Sequence, residues 1–163
     1  MHDKKGFTLI ELMVTIAITG ILAGITLSAY FSLRPKLRLD GAARQIMGDL
    51  MWARMQAVKQ NNEFKVFFLN KMCDINEHVG SGSVDHVYQI LDDEDGDGTI
   101  DIGETVIEKH IQTKYLDVVV DSATSDPIFH PRGNAVPGTT ITLANSSGTA
   151  TVTVASTGRV KIN

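Results

Sequence analysis

Residues 6–33 read GFTLIELMVTIAITGILAGITLSAYFSL, and this stretch decides the N-terminal part of the fold. From residue 12 to residue 33 the chain carries no charge over 22 residues, and the run ends at Arg34 and Pro35. About 20 apolar residues in a helix are needed to cross a bilayer core. A cleaved secretory signal would have an apolar region of only about 7 to 15 residues. The length therefore predicts a membrane-spanning helix over residues 7–33.

Glu11 is the one charged residue between Phe7 and Leu33. A charged side chain in the middle of a membrane helix costs about 2.5 to 3.5 kcal/mol or more, so it is usually kept for a partner. Two interpretations stay open at this point. Either Glu11 has a cationic partner, or it lies at the membrane surface of a plain single-pass anchor.

The residues around Glu11 favour the first interpretation. The segment Lys4-Lys5-Gly6-Phe7-Thr8-Leu9-Ile10-Glu11 resembles the type IV prepilin signature, a short basic leader that ends in glycine and is followed by phenylalanine and a glutamate. The resemblance implies that a prepilin peptidase cuts between Gly6 and Phe7 and methylates the new amine. It also implies that Glu11 pairs with the terminal amine of a neighbouring subunit in a filament. Most pilin helices have proline where this chain has Ser28, so a proline kink is not implied here.

The composition is that of an ordinary folded protein with one domain. The 163 residues are 43% hydrophobic and 21% charged, with a formal net charge of −4, which excludes disordered and collagen-like classes. A single cysteine, Cys73, excludes an intramolecular disulfide and a four-cysteine zinc site, and its spacing to His78 and His86 matches no common zinc pattern. The sequence holds no nucleophile elbow, phosphate-binding loop or HExxH motif. We therefore predict a protein that is not an enzyme.

After Pro35 the apolar residues recur every three or four positions, which predicts an amphipathic helix over about residues 34–60. Asn61 and Asn62 mark its expected end. Met47, Met51 and Met55 share a face of this helix, and we expect them in the core.

The region 64–163 reads as β-strands separated by turns. The expected strands are Phe64–Leu69, Val87–Leu91, Thr105–Ile111, Leu116–Val120, Thr140–Leu143, Ala150–Ala155 and Arg159–Ile162. The last three are expected to form a meander. The predicted fold class is α+β, with a long N-terminal helix packed on an antiparallel sheet. The predicted organisation is a leader at 1–6, a transmembrane helix at 7–33 and a soluble domain at 34–163.

The C-terminal part supports the same family. Phe129-His130-Pro131-Arg132-Gly133, the alternating strands after it and Gly158-Arg159-Val160 resemble the GspH/FimT minor pseudopilins. The resemblance implies a pilin-like fold and a structural role in the assembly or tip of a type IV pilus or a type II secretion pseudopilus. The implied partners are other pilins or pseudopilins, the prepilin peptidase and an inner-membrane assembly platform. The implied location is the bacterial inner membrane, in a single pass with the soluble domain on the periplasmic side, and then the filament.

The segment DEDGDGTIDIGE, residues 93–104, fits the twelve-residue calcium-loop pattern with acids at loop positions 1, 3, 5, 9 and 12. The flanking segments read as strands, so the pattern predicts a calcium loop at the tip of a hairpin rather than an EF-hand. A solvated acidic turn without an ion is the alternative. A single-pass calcium-binding domain that never assembles also stays open. The expected ligands are Asp93, Asp95, Asp97, Thr99 through its carbonyl, Asp101 and Glu104.

The last part of the chain is basic, since no acid follows Asp126. Alternation places Arg159 and Lys161 on one face of a terminal strand, where in a DNA-binding protein they would contact successive phosphates together with Arg132. Some FimT-like proteins are associated with DNA uptake, so a DNA-binding minor pilin for transformation is the alternative function. Cations that protect an edge strand from aggregation are the other explanation.

Overall fold

A computed structural model describes residues 7–68, 87–97, 99–100 and 102–163. The chain divides into two compact units, residues 1–34 and residues 35–163. The described part of the first unit is helical, and the second unit is an α+β domain. The elements are α1 (Leu9–Gln60), β1 (Glu63–Phe68), β2 (Val87–Asp93), β3 (Thr105–His110), β4 (Val119–Ala123), β5 (Ile128–Phe129), β6 (Ala135–Val136), β7 (Thr139–Asn145), β8 (Gly148–Val154) and β9 (Val160–Ile162).

Helix α1 ends where the sequence predicts. Gln60 is its last residue, and Asn61 follows with φ of 60°. Asparagine tolerates this left-handed conformation better than most residues, and such a residue commonly closes a helix. Asn62 then donates from its side-chain amide to Asp92 on β2. The expected stop at Asn61 and Asn62 is confirmed.

The part of α1 in the second unit buries one stripe against the strands. Its buried residues include four alanines, which let the helix backbone lie close to the sheets. The prediction for the methionines was partly wrong: Met47 packs against the core, but Met51 and Met55 are 50% and 60% exposed. The buried stripe, which these two residues miss, consists of Leu39, Ala42, Ala43, Ile46, Leu50, Ala53 and Ala57.

The described strands form two antiparallel sheets rather than the single expected sheet. The order is β3-β2-β1-β5-β6 in the first and β4-β7-β8-β9 in the second. Both sheets contribute to one core with α1, through residues such as Val66 and Ile90 from the first and Ile141 and Val152 from the second. The fold class is confirmed, and so is the meander, since β7, β8 and β9 pair in chain order.

Two predictions about strands need correction. The strand expected at Leu116–Val120 begins later, at Val119, and Leu116 is 71% exposed in the preceding turn. The short strands β5 and β6 were missed, because two residues are too few for an alternating pattern to be detected. They extend the first sheet from β1, where Phe64 pairs with Phe129.

One buried polar group joins the helix to the first sheet. Tyr88 on β2 is buried, and its hydroxyl donates to a carboxylate oxygen of Asp49 on α1. Lys109 on β3 lies 3.7 Å from the other oxygen of Asp49. Burial raises the pKa of Tyr88 above its usual range, and the adjacent carboxylate of Asp49 raises it further.

Candidate functional site

The apolar surface of the first unit is not buried by the chain. Every residue of 7–34 whose side chain is described is exposed, including Ile16 at 64% and Ile21 at 66%. Among the described residues, α1 is the helix that is long and apolar enough to cross a membrane, by length and composition. Exposed surface of this size is covered in a working protein by lipid or by other chains.

Glu11 closes a capping box at the start of α1. Its carboxylate accepts from the backbone N–H of Thr8 at 3.0 Å and from the Thr8 hydroxyl at 2.9 Å. The N–H of Glu11 donates back to the Thr8 hydroxyl at 3.3 Å. Two unpaired helix donors are satisfied in this way. This local role was not predicted from the sequence, although threonine followed three residues later by glutamate is its signature.

The structure describes one of the two residues at the predicted cleavage site. Gly6 and the leader lie outside the described residues, while Phe7 is described and 88% exposed. Cleavage and methylation stay predictions from the sequence.

The expected calcium loop lies at the tip of the hairpin that β2 and β3 form. Carboxylate oxygens of Asp93, Asp95 and Asp97 all lie within 4.8 Å of one another. Asp93 is buried, and the other two are exposed. Thr99 donates to Asp97 from its N–H and its hydroxyl, both at 2.7 Å. These two hydrogen bonds lower the pKa of Asp97, because they favour the charged form.

The ends of the loop are joined by Glu104, which accepts from the N–H of Glu94 at 3.1 Å. Asp101 lies outside the described residues. The structure thus brings three of the expected ligands together, and it places strands, not helices, on both sides of the loop as predicted. The donor set is one of carboxylate oxygens, which suits calcium.

The basic residues lie on two turns that touch and on an edge strand. Arg132 is exposed in the turn from His130 to Gly133, and Arg159 is exposed beside Gly158. A Cβ at Gly158 would lie 2.0 Å from the carbonyl oxygen of Gly133, so the two turns are in direct backbone contact. Lys161 is exposed on β9, the edge strand of the second sheet.

A fourth cation, not predicted from the sequence, bridges α1 to the same turns. The Nε of Arg54 donates to the carbonyl oxygen of Gly133 at 2.7 Å. In the sequence Arg54 is 79 residues away from Gly133, so no local pattern predicts the contact. His130, in the same turn, lies with Nδ1 2.6 Å from a carboxylate oxygen of Glu63 on β1.

Comparison with known proteins defines the class. Residues 42–158 match the family model of the type II transport protein GspH, and residues 1–27 match the prokaryotic N-terminal methylation motif. The chain is 29% identical to the pilin-like protein PilA1 of Thermus thermophilus over 168 residues, which cover 98% of each chain. It is 70% identical over 30 residues to a fimbrial protein of Moraxella nonliquefaciens, which is 18% of this chain and 20% of the relative.

Solved structures of the same fold agree. The minor pilin FimU of Pseudomonas aeruginosa superposes with a TM-score of 0.55 at 16% identity, over 78% of this chain and 90% of that one. The minor pseudopilin EpsH of Vibrio cholerae superposes with a TM-score of 0.51 at 10% identity, over 77% and 96%. The solved structures thus show the fold, and the N-terminal match defines the class of proteins that carry the prokaryotic N-terminal methylation motif. Within that class, the chain belongs to the GspH family of type II transport proteins.

Proposed function

We propose that this protein is a structural, non-enzymatic subunit that joins the assembly or tip of a type IV pilus or a type II secretion pseudopilus. The observation that carries the proposal is the first unit, whose apolar side chains are exposed along the whole described stretch. Such a surface suits lipid before assembly and neighbouring helices after it. Before assembly the protein crosses the bacterial inner membrane once, with the second unit on the periplasmic side.

The proposal includes processing and assembly partners. A prepilin peptidase cuts between Gly6 and Phe7 and methylates Phe7, and an inner-membrane platform then adds the subunit to other pilins or pseudopilins. Glu11 provides the negative charge that pairs with the terminal amine of a neighbour. The capping box with Thr8 holds this carboxylate at the first turn of α1.

The test is the amount of protein in the sheared filament fraction for two variants of Glu11. Glutamine at this position keeps a capping-box acceptor but has no charge, whereas alanine loses both. We expect Glu11→Gln and Glu11→Ala to insert in the membrane normally and both to be depleted from filaments by about tenfold, the effect of about 1.4 kcal/mol. Wild-type incorporation of Glu11→Gln together with loss of Glu11→Ala would show that Glu11 acts only as a cap.

A second candidate function is DNA binding during transformation. The contact between the turns of Arg132 and Arg159 favours it, because it gathers cations that are distant in sequence. Mobility-shift titrations of the full chain in mild detergent at several salt concentrations test it. Arg159→Ala and Lys161→Ala should each reduce the salt dependence by about one unit. Absence of any retained double-stranded DNA at low salt would eliminate this function.

The hairpin loop adds a calcium site to the proposal. The ligands would be Asp93, Asp95, Asp97, the Thr99 carbonyl, Asp101 and Glu104, and the ion would hold the β2–β3 tip in one conformation. The twelve-residue pattern and the close approach of the first three carboxylates support this assignment.

A further inference from the structure

In the second unit, the outward face of α1 carries apolar side chains that the domain leaves exposed. Met51, Met55 and Val58 are 50%, 60% and 53% exposed. Their spacing of four and three residues places them in one row on the helix. The row lies outside the buried stripe, so the core of the domain does not cover it.

This row forms one wall of a groove of about 760 Å³, which we call the α1 groove. The other wall is the turn of Arg132 and Gly133, held to α1 by the hydrogen bond from Arg54 to Gly133. Three of the described lining residues are cations, and none of the described lining residues is an acid. The lining residues are Gly48, Met51, Trp52, Arg54, Met55, Val58, Lys59, Arg132 and Gly133.

The chemistry of the α1 groove specifies its occupant. The apolar row favours apolar side chains in a partner, and the three lining cations favour carboxylates beside them. A segment that fits must therefore present both kinds of group together on an exposed surface.

The tip of the β2–β3 hairpin has this composition. Ile100 is 51% exposed and Ile102 is fully exposed, although both are large apolar residues. Glu94, Asp95 and Asp97 precede them in the same hairpin loop and are also exposed. We call the described residues 94–97, 99–100 and 102 the acidic tip.

We propose that the acidic tip of one copy docks in the α1 groove of a second copy of this chain. The two surfaces share no residue, so the contact is heterologous and can repeat along an open helical array instead of closing a dimer. This arrangement suits a filament subunit, and in this respect the inference rests on the proposed function. Opposite charge would guide the approach through Glu94, which lies outside the proposed calcium ligands, and the isoleucines would supply the buried apolar contact.

Cysteine cross-linking between two differently tagged copies of the full chain tests the contact. Both copies carry Cys73→Ser; one also carries Met55→Cys and the other Ile102→Cys. Oxidation in native membranes should give a disulfide-linked dimer that contains both tags. The matched control replaces Ile102→Cys by Leu116→Cys, which is 71% exposed on a turn outside the tip and should give no dimer. No dimer from the first pair, equal dimer from the control, or a cross-link to a different protein only would each overturn the proposal.

A charge exchange tests the role of the groove cations in the same assay. Lys59→Glu in the groove copy should lower the cross-linked fraction by about threefold, the size expected for reversing one exposed ion pair. Glu94→Lys in the tip copy should restore most of the loss, and Glu94 is outside the proposed calcium ligands. A loss without recovery would contradict charge pairing between tip and groove.

The sheared filament fraction of the same cells separates this inference from the proposed function. Wild-type chain in that fraction without any cross-link between position 55 and position 102 would overturn the docking contact and leave the filament role intact. Absence of the wild-type chain from the filament fraction would contradict the filament role. The cross-link between positions 55 and 102 would still decide whether the acidic tip contacts the α1 groove.

Discussion

Two isoleucines on the same helix illustrate the difference between the two units. Ile16 in the first unit is 64% exposed, whereas Ile46 in the second is fully buried. The first unit is apolar around the whole helix, but the second has one apolar stripe that its own sheets cover. The chain itself therefore supplies the hydrophobic burial of the second unit, and lipid or other chains must supply that of the first.

The same substitution at these two positions gives the largest expected effect. Ile46→Ala should lower the free energy of unfolding by about 2 to 5 kcal/mol, because it leaves a cavity in the core. Ile16→Ala should change it by less than about 0.5 kcal/mol. Urea unfolding of the full chain in mild detergent, followed by fluorescence of the single tryptophan Trp52, measures both. Equal losses at the two positions would contradict the comparison.

A pair of tyrosines extends the comparison to polar contacts. Tyr88→Phe removes the hydrogen bond to Asp49 and should cost about 1 to 3 kcal/mol, while Tyr30→Phe, at an exposed position of the first unit, should cost almost nothing.

Tyr88 also predicts a pH dependence. Because its folded-state pKa is raised, the stability it contributes is fully present below the ordinary tyrosine pKa of about 10. Above that pH the unfolded state releases the proton first, so stability should fall by about 1.4 kcal/mol per pH unit from this group. The difference between wild type and Tyr88→Phe in unfolding titrations from pH 9 to 11 isolates the effect. Parallel curves for the two proteins would show that Tyr88 ionises normally.

Calcium binding at the proposed loop should stabilise the second unit by a smaller amount, since all the proposed ligands lie within that unit. A tenfold excess over Kd adds about 1.4 kcal/mol to stability and should raise the Tm of the full chain. Asp93→Ala combined with Asp97→Ala should abolish the rise, and Asp40→Ala, an exposed carboxylate on α1, should leave it unchanged. A flat Tm up to millimolar calcium would leave an acidic turn that binds no calcium.

Features that depend on local sequence were predictable. The span of α1, its end at Asn61 and the hairpin that carries the acidic loop all follow from runs, caps and alternation over a few residues. The division into two sheets was not predictable, because β4 pairs with β7 instead of the preceding strand β3, while β1 pairs with the two-residue strand β5, more than 60 residues away.

The sites follow the same rule. Asp93, Asp95 and Asp97 are close in sequence, and the structure keeps them close in space. The contact between the turns of Gly133 and Gly158, and the bridge from Arg54, depend on tertiary packing and left no sequence signal. Met51 and Met55 were misplaced because periodicity gives the apolar faces of a helix but does not say which one the sheets cover.

The most direct test of the filament role is the intact mass of the chain recovered from sheared filaments of the native host. We expect a mature chain that begins at Phe7, carries one methyl group on its terminal amine and lacks residues 1–6. A chain that retains Met1 to Gly6 and stays in the membrane fraction of peptidase-competent cells would contradict it.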